Sequence, residues 1–153
     1  LRVKGSDVLT RVEKSIEIRA SPEKVWEMLA LDRQVEWMAN VKSVEYTSKI
    51  RNPEDKLRVG ASAHLSYIDK RWDCDVEITE SLENEKMTYR SSKPSYTVTY
   101  TLKPVEGGTK LTFLGYYEMP WGILGKIFYR LAGGAFEKEV WKSFEKLKSI
   151  LEK

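Results

Sequence analysis

At 153 residues, 41% hydrophobic and 32% charged, the chain has the size of one domain that buries well over half of its extended surface around a single core. No apolar run approaches the ~20 residues of a spanning helix, so integral membrane contact is not expected. The net charge of +3 is dispersed: Lys and Arg alternate with Asp and Glu, as in KSFEKLKSILEK, and no basic face of the kind nucleic acid needs is gathered.

In TRVEKSIEIR, Val12, Ile16 and Ile18 share one parity against charged neighbours, the two-residue period of a half-buried strand. ASPEKVWEMLAL then sets Ser21 as N-cap, Pro22 at the first helical position and Glu23 in the first turn, predicting a short helix with Val25, Trp26 and Leu29 on one side. Asp32 is positioned to cap a second short helix, DRQVEWMAN. VKSVEYTSKI returns to strand composition, and KIRNPEDKLRVG, residues 49 to 60, reads as one long loop.

From there to about residue 118 the chain reads as strands joined by tight turns. GASAHLSYID, RWDCDVEITE, KMTYRSS, SYTVTYTLKP and TKLTFLGYYE alternate apolar and polar residues, predicting a one-sided antiparallel sheet. Trp72, Cys74, Val76 and Ile78 take one face; Asp73, Asp75 and Glu77 take the wet one.

AFEKEVWKSFEKLKSILEK places Phe136, Val140, Phe144, Leu147 and Leu151 at helical spacing, flanked by Trp141 and Ile150. Trp26 and Trp141 are read as core. Before that helix, EMPWGILGKIFYRLAGG combines bulky apolar residues with four glycines and a proline. A single helix from Gly122 to Glu152 would be roughly 46 Å long, against about 38 Å for a compact domain of this length, so Gly133 and Gly134 are expected to break it. GILGKIFYRL then becomes a separate amphipathic cover, with Trp121, Leu124, Ile127, Phe128 and Leu131 toward the interior, and a gate for a ligand.

The same phasing sends Ala61, Ala63, Leu65, Tyr67, Trp72 and Cys74 inward, followed by Tyr89, Tyr96, Tyr100, Phe113, Gly115 and Tyr117. Small residues leave space and tyrosines offer polar tips inside it, the lining of a pocket for an apolar molecule with a few polar groups. The alternative is that the tyrosines reach solvent at strand ends and the core closes. Catalytic chemistry is not legible: His64 lies on the wet face with no evident acid or base partner, and the acids of RWDCDVEITE are surface acids. Cys74 has no second thiol or histidine at metal-ligand spacing. No metal and no cofactor are expected. A lone cysteine excludes an intrachain disulfide, and with no visible targeting signal the expectation is a cytoplasmic protein.

The element order, with ASPEKVWEMLALDRQVEWM, VGASAHLSY, DVEITE and EMPWGILGKIFYRLAGGAFEKEVWKSFEKLKSILE, resembles the polyketide cyclase/dehydrase (SRPBCC) branch of the START-like, helix-grip superfamily across nearly the whole chain. The resemblance implies an α+β fold in which a seven-stranded antiparallel sheet curves around the long C-terminal helix. It also implies a cavity for lipids, polyketides, sterols or quinones, with Trp37, Tyr67, Trp72, Tyr100, Tyr117 and residues 121–131 near it. Three functions remain open: a carrier or sensor of a hydrophobic small molecule, a cyclase- or dehydrase-like enzyme, and a module docking on a protein or transiently on a membrane surface.

Overall fold

The computed structural model describes residues 8–119 and 135–153. Seven strands form one antiparallel sheet in the order β1-β7-β6-β5-β4-β3-β2. They are β1 (Val8–Ile18), β2 (Val41–Tyr46), β3 (Ser62–Tyr67), β4 (Cys74–Leu82), β5 (Lys86–Ser92), β6 (Ser95–Val105) and β7 (Gly108–Met119). The sheet curls, and its concave face holds the core around helix α2 (Ala135–Leu151). This is the helix-grip α+β arrangement expected from the alternation of the strands and the single apolar stripe of the helix.

Helix α1 (Pro22–Met28) starts as its sequence dictates: Ser21 has extended backbone, its hydroxyl accepts from the Lys24 amide at 3.4 Å, and Pro22 opens the first turn. The next element differs from expectation. Leu31–Glu36 is a 3-10 helix whose N-cap is Ala30, with no side-chain cap. Asp32 is occupied elsewhere: it accepts from the Tyr46 hydroxyl at 3.0 Å and pairs with Lys56 at 2.8 Å. That pairing also orders the supposed long loop, where Pro53–Leu57 forms a 3-10 turn capped by Asn52. A further 3-10 turn, Lys70–Trp72, is capped by the Asp69 carboxylate, so β4 begins two residues later than its alternation suggests. The β6–β7 turn needs positive φ at Gly107, +78°, where a residue with Cβ is strained.

Phe144 and Leu147 of α2 are wholly buried against the sheet, with Val140, Ile150 and Leu151 packed at the margin. Trp141 is 42% exposed, correcting its assignment to the core: it falls outside the arc that Phe144 and Leu147 turn inward. The Phe136 side chain lies outside the described residues. Polar ties fix where the helix sits along the strands. Near its first turn, Glu137 pairs with Lys14 of β1 at 3.7 Å, and Lys14 stands opposite Phe113. In its last turn, Lys148 donates to the Glu17 carbonyl at 2.8 Å, and Glu152 accepts from the Arg19 amide at 2.8 Å. The described helix therefore covers the sheet from the level of Phe113 to the Ile18 end. Tyr117, four residues beyond Phe113, lies roughly 13 Å further along β7 at ~3.3 Å per residue.

Candidate functional site

The concave face toward that end, beyond the described helix, is built from aromatic rings. The pleat of β6 turns Tyr96, Val98 and Tyr100 inward, β5 contributes Tyr89 and Ser91, and β7 contributes Phe113 and Tyr117. Their rings touch in sequence: Tyr117 to Tyr96 at 5.4 Å between centroids, Tyr96 to Tyr89 at 6.4 Å, and Tyr89 to Tyr100 at 6.2 Å. Tyr100 meets Phe113 at 5.6 Å and Trp37 at 6.0 Å in edge-on contacts, the geometry that ring quadrupoles favour. Trp37 is held by its indole N–H, which donates to the Met28 carbonyl at 2.8 Å.

The polar tips of this cluster face one another. The Tyr96 hydroxyl lies 3.2 Å from Cys74 Sγ, and the hydroxyls of Tyr67, Tyr89 and Tyr117 interact electrostatically within the same group. Burial pushes Tyr89 and Tyr96 well above the usual phenol range and raises Tyr67 and Tyr100 as well. Burial also raises the Cys74 thiol, an effect the Tyr96 and Ser91 hydroxyls partly offset. All these groups are neutral near pH 7: they donate and accept hydrogen bonds and carry no charge. The Tyr100 hydroxyl and Ser91 Oγ are buried and meet no described group at hydrogen-bond geometry, although the Tyr89 hydroxyl lies close enough to Tyr100, and Ser91 close enough to Cys74, to act on them as hydrogen-bonding neighbours.

Trp37, Ala63, Leu65, Tyr89, Tyr100 and Phe113 all lie buried in one core, with Tyr67 and Tyr117 partly buried against it. Trp72 departs from the expected phase: it belongs to the 3-10 turn before β4 and is partly exposed. Gly115 leaves no space, because a Cβ there would lie 2.7 Å from the Tyr117 ring and 3.0 Å from that of Phe113. The rings have already closed over it. Trp121, Leu124, Ile127, Phe128 and Leu131, with the proposed cover, gate and Gly133-Gly134 joint, lie outside the described residues.

Ser91 and Gln34 went unnoticed in the sequence. Gln34 is fully buried, donating to the Leu29 carbonyl at 3.0 Å while its Oε1 finds no partner among the described residues. Ser91 shares the parity of Met87 and Tyr89, the one signal that marked it. His64 needs correction: its Nδ1 is 2.9 Å from Asp75 Oδ1, a cross-strand partner supplied by the β3–β4 register. Both side chains stand on the convex face, 44% and 79% exposed. A polar hollow of about 740 Å³ is lined by residues including Asp75, Glu77, Arg90, Thr97 and Glu118 of that face, and also by Ser91 and Tyr96 of the aromatic cluster. Among the described residues, no group of three or more His, Cys, Asp or Glu could hold a metal ion, and no helix is long and apolar enough to cross a membrane.

A curled seven-stranded sheet gripping a C-terminal helix, with buried phenols at one end, defines a START-like, helix-grip (SRPBCC) protein. The family model described as polyketide cyclase / dehydrase and lipid transport matches residues 10–152, and the chain belongs to that family. Solved structures share the fold. A Mesorhizobium loti protein is 24% identical with a TM-score of 0.68, the match covering 94% of this chain and 97% of that one. A Thermus thermophilus protein is 17% identical with a TM-score of 0.72, covering 92% and 95%. The Aha1 dimer from Colwellia psychrerythraea is 17% identical with a TM-score of 0.63, covering 94% and 96%. At these identities the likeness is one of fold. No curated protein matches the chain.

Proposed function

We propose that this chain is a carrier or sensor that binds a hydrophobic small molecule, such as a lipid, polyketide or quinone, between the concave face of the sheet and α2, the whole chain serving as one binding domain. The observation that carries the reading is the cluster of buried phenols, with the Tyr100 hydroxyl wholly buried and without a partner at hydrogen-bond geometry among the described residues. Buried polar groups ordinarily have partners, and a ligand that brings a hydrogen-bonding group among apolar rings supplies one. Membership of a family described by both cyclase/dehydrase and lipid transport supports the same chemistry of cargo.

A second reading, a cyclase- or dehydrase-like enzyme, is favoured by the neutral phenols of Tyr67 and Tyr96 beside Cys74, which could orient a reactive carbonyl and lend it a proton. Organic extraction of the purified protein followed by mass spectrometry tests the first reading. A stoichiometric apolar compound is expected; a clean extract, together with no binding of apolar probes, would sink it. Conversion of an offered ketide would favour the second.

A further inference from the structure

We propose that the interior selects uncharged ligands and engages them through a hydrogen bond with the Tyr100 hydroxyl, so that its cargo is a neutral molecule bearing a carbonyl or hydroxyl group and not a carboxylate- or phosphate-headed lipid. The proposal rests on the hydrophobic-ligand reading above and narrows it.

Tyr100 has no exposed surface, its ring is bounded by Trp37, Tyr89 and Phe113, and its hydroxyl has no partner among the described residues. A phenol both donates and accepts, so it matches a carbonyl or an alcohol equally well. Ser91, 4% exposed and without a partner at hydrogen-bond geometry among the described residues, is a second neutral group at the level of Tyr96 and Tyr117, four residues along the strands from the level of Tyr100.

What the core holds on the charge side decides the class. The buried polar residues among those described are Gln34, Thr88, Ser91, Thr109 and Ser143, with no Lys, Arg, His, Asp or Glu. Lys14, which the pleat of β1 sends toward the concave side, is paired with Glu137 at the sheet edge. Glu118 lines the polar hollow from the opposite face. An anionic headgroup drawn among these rings would lose its hydration with no buried counter-charge among the described residues to replace it. Tyrosines held neutral by burial point the same way.

The test uses three naphthalenes of similar size, titrated at pH 7.5 by calorimetry against the full chain and its Tyr100→Phe variant: 2-acetylnaphthalene, 2-isopropylnaphthalene and the anion 2-naphthoate. The ketone is expected to bind at least tenfold more tightly than the anion. Tyr100→Phe is expected to weaken the ketone roughly two- to tenfold, the range of one neutral hydrogen bond, while leaving the hydrocarbon within about twofold. Equal or tighter binding of 2-naphthoate overturns the proposal, as does a ketone affinity indifferent to the variant. In both cases hydrocarbon binding leaves the hydrophobic-ligand reading standing. Failure of all three probes to bind the unmodified chain overturns that reading too. The ketone–anion comparison is made on the unmodified chain, so it stands even if the variant misfolds.

Discussion

The Cys74 thiol and the Tyr96 hydroxyl lie 3.2 Å apart although β5 separates their strands. Strands two places apart in a flat sheet are about 9.6 Å from each other, so the contact reports both the reach of tyrosine and the curl of the sheet. Burial of the thiol raises its pKa, and the thiolate is the reactive form. Alkylation of the native protein by iodoacetamide at pH 7.5 is therefore expected to run more than about tenfold slower than in urea. Equal rates would place Cys74 in contact with solvent.

Tyr100→Phe should stabilise the empty protein. The substitution keeps the ring contacts with Trp37 and Phe113 and removes a buried hydroxyl that meets no partner at hydrogen-bond geometry among the described residues. Urea unfolding should show a gain of roughly 1 kcal/mol. A comparable loss would reveal that the hydroxyl is satisfied.

Phe144 is fully buried between Trp37 and Phe113, at centroid distances of 6.4 and 6.5 Å. Phe144→Ala is expected to cost about 3 to 5 kcal/mol, as core truncations of a ring do. A loss under about 1 kcal/mol, read from chemical denaturation, would mean that the ring does not anchor the helix.

The Asp32 latch has a pH signature. Burial raises the carboxyl, but hydrogen bonds from Lys56 and Tyr46 outweigh it and leave the group below its ordinary 3.8. A carboxyl lower in the folded state contributes stability above the unfolded value and loses it as pH falls through the folded value. Asp32→Asn should therefore destabilise by about 1 kcal/mol at pH 7, with the difference shrinking below about pH 4. A gap that persists at pH 3 would assign the cost to packing.

Residue parity alone located Tyr89, Tyr96, Tyr100 and Phe113 on the inner face, because β6 alternates through Leu102 and its neighbours pair with it in unbroken register. Alternation failed at Trp72, where the pattern runs on past the point at which Asp69 caps a 3-10 turn. It could not show that His64 faces Asp75, since register is a relation between two strands. Nor could it show that the rings of Phe113 and Tyr117 fill the gap above Gly115. The role of Asp32 was hidden for the same reason: its partners, Tyr46 and Lys56, lie 14 and 24 residues away.

Among the described residues, the polar ties of α2 gather toward its C-terminus. Lys148 in its last turn donates to the Glu17 carbonyl of β1, and Glu152, just past its end, accepts from the Arg19 amide and meets the Arg19 guanidinium at 3.6 Å, while its middle is met by the Ala39 amide on Ser143 at 3.1 Å. Near its first turn, the described ion pair is the 3.7 Å contact of Lys14 with Glu137, two side chains 36% and 45% exposed. A surface pair of that kind is worth little. Among the described residues, a pull on the C-terminal end of the helix is therefore carried directly by the backbone of Glu17 and Arg19, whereas a pull on Glu137 is carried by a side-chain contact with Lys14.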